Sequence, residues 1–390
     1  MRFLALLVWL PFVCCGQTTG RPSDNGDVPA AFGFLEFVSA PMAGADEKAW
    51  WGIGGSQHGI FAKRYNIAFV GYAAAALGML GDADATNRAG RIIGHCIGRI
   101  LKRDAWAYSQ SKSYWGASPW SPDPCYRENV MYTGHVLHLM ALYELFTGES
   151  RYWDEGFDFV WREDKIVHYD VKRLIDVTVE QMRANPSGGV TCEPGLLFFP
   201  CNNHPHLALK LFAKLGHGDW SADAAKWEHW ALSHYRDPAF GGGALNLVCH
   251  VKTGFFYPRG TPGLDGWSLL FYEPWASDRA LALGLWRNAA SRIDWSRYAE
   301  PSDTSGGGGC CDPQPVSPAV SAVFLAAAAR ECGDAKTAER LERAVDAKFL
   351  VRRDGRLFLD LDREWRIGAS AMRIIALALA NGASFRELSR

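Results

Sequence analysis

The sequence carries no excess of charge of either sign and few of the motifs that mark metal or nucleic-acid sites. Lys and Arg number 41 against 42 Asp and Glu, the net charge is −1, and no long Lys/Arg run occurs. Electrostatic capture of nucleic acid or of an anionic membrane therefore has no basis, and no nucleic-acid partner is expected. Because no Cys-X-X-Cys pair occurs, a structural zinc site is not expected either.

Long apolar runs are also scarce. The one near the N terminus, from Phe3 to Cys15, follows Arg2 and is short for a membrane span. With small residues before Gln17, it predicts a secretory signal peptide over residues 1–16, and hence a secreted, periplasmic or ER-lumenal protein. An uncleaved membrane anchor over the same residues is the alternative. Exported chains often form disulfides, but a domain of this size does not need them.

Helical periodicity is abundant, and alternating strand patterns are few. About a dozen apolar-periodic segments of about 10–20 residues follow one another, each closed by Gly, Pro or Asn. Only "GGALNLVCHVKTGFFYP" and "GRLFLDLD" resemble short β-hairpins. We therefore predict an all-α fold over residues 28–385, an α/α toroid like an (α/α)6 barrel with a few short hairpins. An α-solenoid is disfavoured because no fixed-period repeat is present.

A stripe of unlike polar groups occurs in "DPCYRENVMYTGHVLHLM" (Asp123–Met140). With a helix that starts near Arg127, the acid, thioether, phenol and imidazole of four residues share one helical face: Glu128, Met131, Tyr132 and His135. A core face is normally plain apolar, so this stripe indicates a site. The alternative is a hydrogen-bonded core histidine.

A second cluster contains Cys192 and Cys201, nine residues apart, with Glu193 beside the first. A disulfide across this segment is sterically possible. Alternatively, a thiol is a nucleophile with His204 or His206 as its base. In a third interpretation, desolvation keeps the thiols protonated and they act as weak acids or bases in an apolar pocket. A metal site is not favoured, because no third and fourth ligand has normal spacing.

These stretches, with "FLEF", "RYNIAF", "NPSGGVTCEP" and "CNN", resemble the linalool dehydratase/isomerase family from about residue 30 to about residue 380. The resemblance implies an α/α barrel and a site without a cofactor. It also implies homo-oligomeric rings whose active site lies at a subunit boundary. The family activity is dehydration of a tertiary allylic terpene alcohol and its isomerisation to the primary alcohol.

Carried over by position, the resemblance implies an active-site segment at Cys192 to Cys201 and a Glu36 that reaches the pocket of a neighbouring subunit. Two family features are missing: no tyrosine stands near Met42, and the family's disulfide cysteines are absent. A substrate other than linalool is therefore expected. The expected catalytic residues are His135, Cys192, Cys201, Glu36 and Tyr65, and the expected substrate-binding residues are Met131, Tyr132 and Glu193.

The expected function is a lyase or isomerase that removes water from, or isomerises, a hydrophobic allylic alcohol of terpenoid type. The 16 Trp, 13 Tyr and 21 Phe residues suit a pocket for such a small molecule. One alternative is a cyclase or isomerase of a larger terpenoid or polyketide-derived intermediate. The others are a carbohydrate-active α/α barrel that uses paired carboxylates, and a carrier without catalysis.

Overall fold

The computed structural model describes residues 26–43, 62–107, 121–237, 244–259, 262–303 and 317–390. The predicted signal peptide or anchor over residues 1–16 lies outside these ranges. Within them, the helices are α1 (Asp27–Ser39), α2 (Lys63–Gly78), α3 (Ala83–Ile100), α4 (Arg103–Trp106), α5 (Val130–Thr147), α6 (Arg151–Asp154), α7 (Val171–Ala184), α8 (Phe199–Lys214), α9 (Ser221–His234), α10 (Pro262–Tyr272), α11 (Arg279–Ser291), α12 (Ser296–Ala299), α13 (Pro318–Glu331), α14 (Ala335–Phe349), α15 (Arg363–Ala380) and α16 (Phe385–Ser389). A 3₁₀ turn, Ala40–Ala43, follows α1.

Six helices form a closed inner ring. Helices α2, α5, α8, α10, α13 and α15 each contact the next, and α15 contacts α2. These helices are apolar on nearly all sides: 15 of the 16 residues of α2 and 12 of the 14 residues of α13 are buried. A helix that is apolar all round is stable only when it is surrounded, so these segments lie inside the ring.

Amphipathic helices form the outer layer. Helices α1, α3, α7, α9, α11 and α14 pack one face against the inner ring and leave the other to solvent. Aspartate or serine N-cap side chains accept hydrogen bonds from backbone N–H groups in the first turns of α3, α7, α11, α13 and α14. The predicted all-α toroid is therefore confirmed.

Short antiparallel strands lie in the connections between helices. Both predicted hairpins are present, as β5 (Ala244–His250) with β6 (Phe255–Arg259) and β7 (Leu350–Arg353) with β8 (Arg356–Leu359). A third hairpin, β1 (Phe157–Arg162) with β2 (Lys165–Tyr169), was not predicted. Strands β3 (Leu196–Phe198) and β4 (Arg236–Asp237) pair with β5.

Two glycines allow the close helix contacts that bring the site together. A Cβ on Gly134 would lie 2.8 Å from Cδ of Pro205, so glycine lets α5 approach α8 at this level. A Cβ on Gly266 would lie 2.7 Å from the backbone of Phe324, so α10 approaches α13 in the same way. His135 and Trp267 are the next residues after these glycines. Among the described helices, none is long and apolar enough to cross a membrane.

Candidate active site

His135 lies on the inner helix α5, and three other inner helices place aromatic or imidazole rings around it. Its ring centroid is 4.0 Å from that of His204 on α8, 5.2 Å from that of Tyr65 on α2, and 6.3 Å from that of Trp267 on α10. The Tyr72 hydroxyl on α2 lies 2.7 Å from His135 Nδ1. His135 is fully buried, and its Nε2 has no hydrogen-bond partner among the described residues.

A chain of hydrogen bonds orders the other two histidines of this cluster. The indole N–H of Trp267, which can only donate, reaches His204 Nε2 at 3.0 Å. Neutral His204 therefore carries its proton on Nδ1, which lies 3.3 Å from His138 Nδ1 and donates to it. His138 is then protonated on Nε2, a buried atom with no partner in the described part of the chain.

All three imidazoles are uncharged at neutral pH. Burial is the largest cause that lowers the pKa of His135 well below its usual value, followed by electrostatic interactions with His138 and Arg64. Burial likewise lowers the pKa of His204 well below the usual range and that of His138 to about 3. A dry pocket disfavours charged groups, so the cluster presents neutral donors and acceptors.

Arg64 stands at one edge of this cluster, in the first turn of α2. Its guanidinium lies 4.5 Å above the Tyr65 ring and donates to Met131 Sδ at 3.3 Å. All three residues are almost fully buried, with 1–4% of each exposed. Met131, expected to bind the substrate, thus also accepts a hydrogen bond from a buried cation. Arg64 directly precedes Tyr65 in "RYNIAF" but was not among the predicted site residues.

The two cysteines of the predicted active-site segment are both buried free thiols. Only Cys192 lies on a loop; Cys201 lies in the first turn of α8, because Pro200 occupies a position at which proline starts helices. Cys201 is therefore one turn before His204, on the same side of the helix. Burial, with a hydrogen bond to Cys201, raises the pKa of the Cys192 thiol well above its usual value, so Cys192 stays protonated.

The family model for linalool dehydratase/isomerase matches residues 64–365, more than three quarters of the chain. The chain belongs to the linalool dehydratase/isomerase family. This confirms the resemblance, and the family indicates an enzyme, with a dehydratase or isomerase as the activity that fits it.

Solved structures similar to this member of the family share its fold. A possible GH105 member from Salmonella enterica serovar Paratyphi A is 12% identical, with a TM-score of 0.55 over 93% of this chain and 96% of its own. An unsaturated glucuronyl hydrolase specific for heparin is 11% identical, with a TM-score of 0.52 over 81% and 85%. The GH76A α-1,6-mannanase from Salegentibacter is 9% identical, with a TM-score of 0.51 over 93% and 100%.

Glu36 lies outside the His135 cluster. Its carboxylate accepts hydrogen bonds from Arg88 at 2.8 and 2.9 Å and from Arg91 at 3.4 Å, in the outer layer formed by α1 and α3. The hydrogen bond from Arg88 is the largest cause of a lowered pKa, so the carboxylate is ionised. Its side chain keeps 34% of its surface exposed.

Tyr132 and Glu193 also lie apart from the cluster. The Tyr132 hydroxyl donates to the Ile100 carbonyl at 3.0 Å, which directs the side chain toward the outer helix α3. Glu193 is partly exposed in the turn before β3. The helix begins at Val130, later than expected, and Glu128 precedes it with φ 48°, so the predicted four-residue stripe reduces to Met131 and His135.

Two surface clefts are lined by residues outside the His135 cluster. A cleft of about 590 Å³ borders the segment before Cys192 and includes Glu128, Thr191 and Cys249. Another, of about 540 Å³, lies between Met42 on the 3₁₀ turn and Arg151. Neither lining includes His135, so the polar groups of the cluster, rather than cleft size, identify the candidate site. In the described ranges, no group of three or more His, Cys, Asp or Glu is arranged to hold a metal.

Proposed function

We propose that this protein is a cofactor-free dehydratase/isomerase acting on a hydrophobic, terpenoid-like allylic alcohol. The observation that carries the proposal is His135 Nε2, a buried polar atom without a partner in the described ranges, inside a wall of aromatic rings. A buried polar group left unpaired costs about 1–3 kcal/mol. A substrate hydroxyl in an otherwise apolar molecule would supply the missing partner.

Elimination of water from an alcohol requires two proton transfers. One proton goes to the hydroxyl oxygen as the C–O bond breaks, and one is removed from the adjacent carbon as the double bond forms. His135, Tyr65 and the Cys192–Cys201 pair are the groups we assign to these tasks within one subunit. Each well-placed proton transfer typically contributes about 10²–10⁴-fold to the rate.

Glu36 is assigned to the site of a neighbouring subunit in a homo-oligomeric ring. In its own subunit the carboxylate is held in the outer layer by Arg88 and Arg91, so it can serve catalysis only across a subunit boundary. An ionised carboxylate is the form that a general base requires.

The substrate is expected to differ from linalool. Met42, buried in the 3₁₀ turn, stands near the place where the family has a tyrosine. The carbohydrate alternative has weaker support, because Glu36 and Glu193, the acids singled out in the sequence, lie outside the cluster and paired carboxylates are what that chemistry needs.

The test is anaerobic incubation of the purified protein with a panel of allylic terpene alcohols, with products identified by gas chromatography–mass spectrometry. We expect alkenes or rearranged alcohols from the wild type and at least about 100-fold less from His135→Asn. His168→Asn is the matched control, because His168 lies on β2 with 60% of its side chain exposed. Absence of any dehydrated or isomerised product from correctly folded wild-type protein would refute the proposal.

A further inference from the structure

We infer that the Tyr72 hydroxyl holds His135 in the tautomer that is protonated on Nε2. His135 would then present an N–H donor, rather than a lone pair, to the oxygen of the substrate. The part of this inference that concerns the substrate rests on the proposed function; the tautomer itself does not. Tyr72 is a positioning residue in this scheme, because it acts through His135.

Hydrogen-bond accounting decides between the two tautomers. The distance of 2.7 Å between the Tyr72 hydroxyl and His135 Nδ1 allows a bond in either direction. If Nδ1 donated, the hydroxyl proton would have no acceptor among the described residues, and His135 Nε2 would be an unmatched acceptor as well. If Tyr72 donates, only the Nε2 proton is left, and it is available to a ligand. Buried unpaired groups are costly, so the second arrangement is favoured.

Tyr72 is held where this donation requires it. Its ring centroid lies 4.4 Å from that of His138, 5.4 Å from that of His204 and 5.2 Å from that of Phe271, and the residue is fully buried. Burial raises its pKa well above the usual value, so the phenol keeps the proton that it donates.

The neighbouring histidines do not compete for His135 Nδ1. Both nitrogens of His204 are already bonded, one to Trp267 and one to His138. The hydroxyl of Tyr72 is thus the described group that fixes the His135 ring, in the way that a hydrogen bond on one imidazole nitrogen determines the role of the other.

In this tautomer His135 can act as a hydrogen-bond donor to the substrate but not as the base. An Nε2–H group can bind and polarise the hydroxyl oxygen of an alcohol, but it has no lone pair with which to take a proton from carbon. The base must then be another group. Because the Cys192 thiol stays protonated, Tyr65, Cys201 and the Glu36 of a neighbouring subunit remain among the residues assigned above.

The experiment is ¹⁵N NMR of the full protein labelled with [¹⁵N]histidine, with the His135 signals identified by their loss in His135→Asn. Protonated and unprotonated nitrogens of a neutral imidazole have well-separated shifts. We expect wild-type His135 to be protonated on Nε2, and Tyr72→Phe to lose that preference. With an alcohol that the wild type converts, Tyr72→Phe should lower kcat by about tenfold and leave KM nearly unchanged, because Tyr72 does not touch the substrate.

Tyr169→Phe is the matched control. Its hydroxyl is also buried and donates to Asp123 at 2.9 Å, but it lies on β2, outside the ring. This variant should leave the His135 tautomer and kcat unchanged even if it lowers stability.

A proton on Nδ1 in the wild type overturns the inference, and this spectrum needs no Tyr72 variant to fold. A Tyr72→Phe protein with the wild-type tautomer overturns it as well, whatever its activity. An Nε2 proton in a wild type that converts none of the alcohols would support the tautomer and count against the proposed function instead.

Discussion

Acidification from about pH 7.5 to about pH 5.5 should remove much of the free energy of unfolding of this protein. Four fully buried histidines carry depressed pKa values in the folded state: His135, His138, His204 and His206. Burial is the largest cause for each of them. The folded protein keeps these imidazoles neutral, whereas the unfolded chain protonates them below about pH 6.5.

The sign and the size follow from proton linkage. Because the folded-state pKa values are lowered, the contribution to stability is complete above about pH 6.5 and is lost as the pH falls. One unit below the unfolded pKa, each histidine costs about 1.4 kcal/mol, so four cost about 6 kcal/mol. Glu331 opposes this loss: burial raises its pKa to about 7, and its added proton stabilises the folded state by about 2 kcal/mol at pH 5.5. The net loss of about 4 kcal/mol is a large part of a typical 5–15 kcal/mol.

Urea denaturation at the two pH values measures this loss, and His206→Leu isolates one imidazole. Neither nitrogen of His206 has a partner among the described residues, and its ring lies 4.9 Å from that of Trp275, so leucine should be tolerated. The variant should lose about 1.4 kcal/mol less than the wild type between the two pH values. His168→Asn, at an exposed position, should behave as the wild type does.

A wild-type loss below about 1 kcal/mol would refute the reasoning, because neutral buried imidazoles cannot avoid this cost. An equal loss in the wild type and in His206→Leu would refute it for His206 alone.

Two predictions concern the remaining residues of the site. Glu36→Gln and His135→Ala should each lower turnover by about 100-fold or more, and mixing the two variants under conditions of subunit exchange should restore part of the activity, because some boundaries then pair an intact Glu36 with an intact His135. Proven exchange without recovery would exclude a shared site, and full activity of Glu36→Gln alone would remove the acid from the mechanism. Cys192 and Cys201 should be free thiols in the active protein, as mass spectrometry of alkylated peptides can show; a fully active protein with the two cysteines bonded to each other would exclude them as proton-transfer groups.

The toroid could be predicted from local sequence because its causes are local. The inner helix "RYNIAFVGYAAAALG" is apolar on nearly all sides, and outer helices such as α3 carry one apolar face and an N-cap. Helix α10 could not be predicted in this way, because it is only 11 residues long, begins at Pro262 and includes Gly266, features that in isolation indicate a turn. The close approach of the α13 backbone at Phe324 and Leu325 explains that glycine.

The sequence motifs by themselves determined the family, since the block from Asp123 to His135 is specific, and they made His135 a candidate site residue. The partners of His135 were decided by tertiary structure alone. Tyr72, His204 and Trp267 lie on three other helices. Their contacts with His135 depend on the closure of the helix ring and on the close approach of α5 to α8 at Gly134, and sequence spacing predicts neither. The same holds for Tyr132, which is adjacent in sequence to Met131 but is bonded to the outer layer, because successive residues of a helix point in directions about 100° apart.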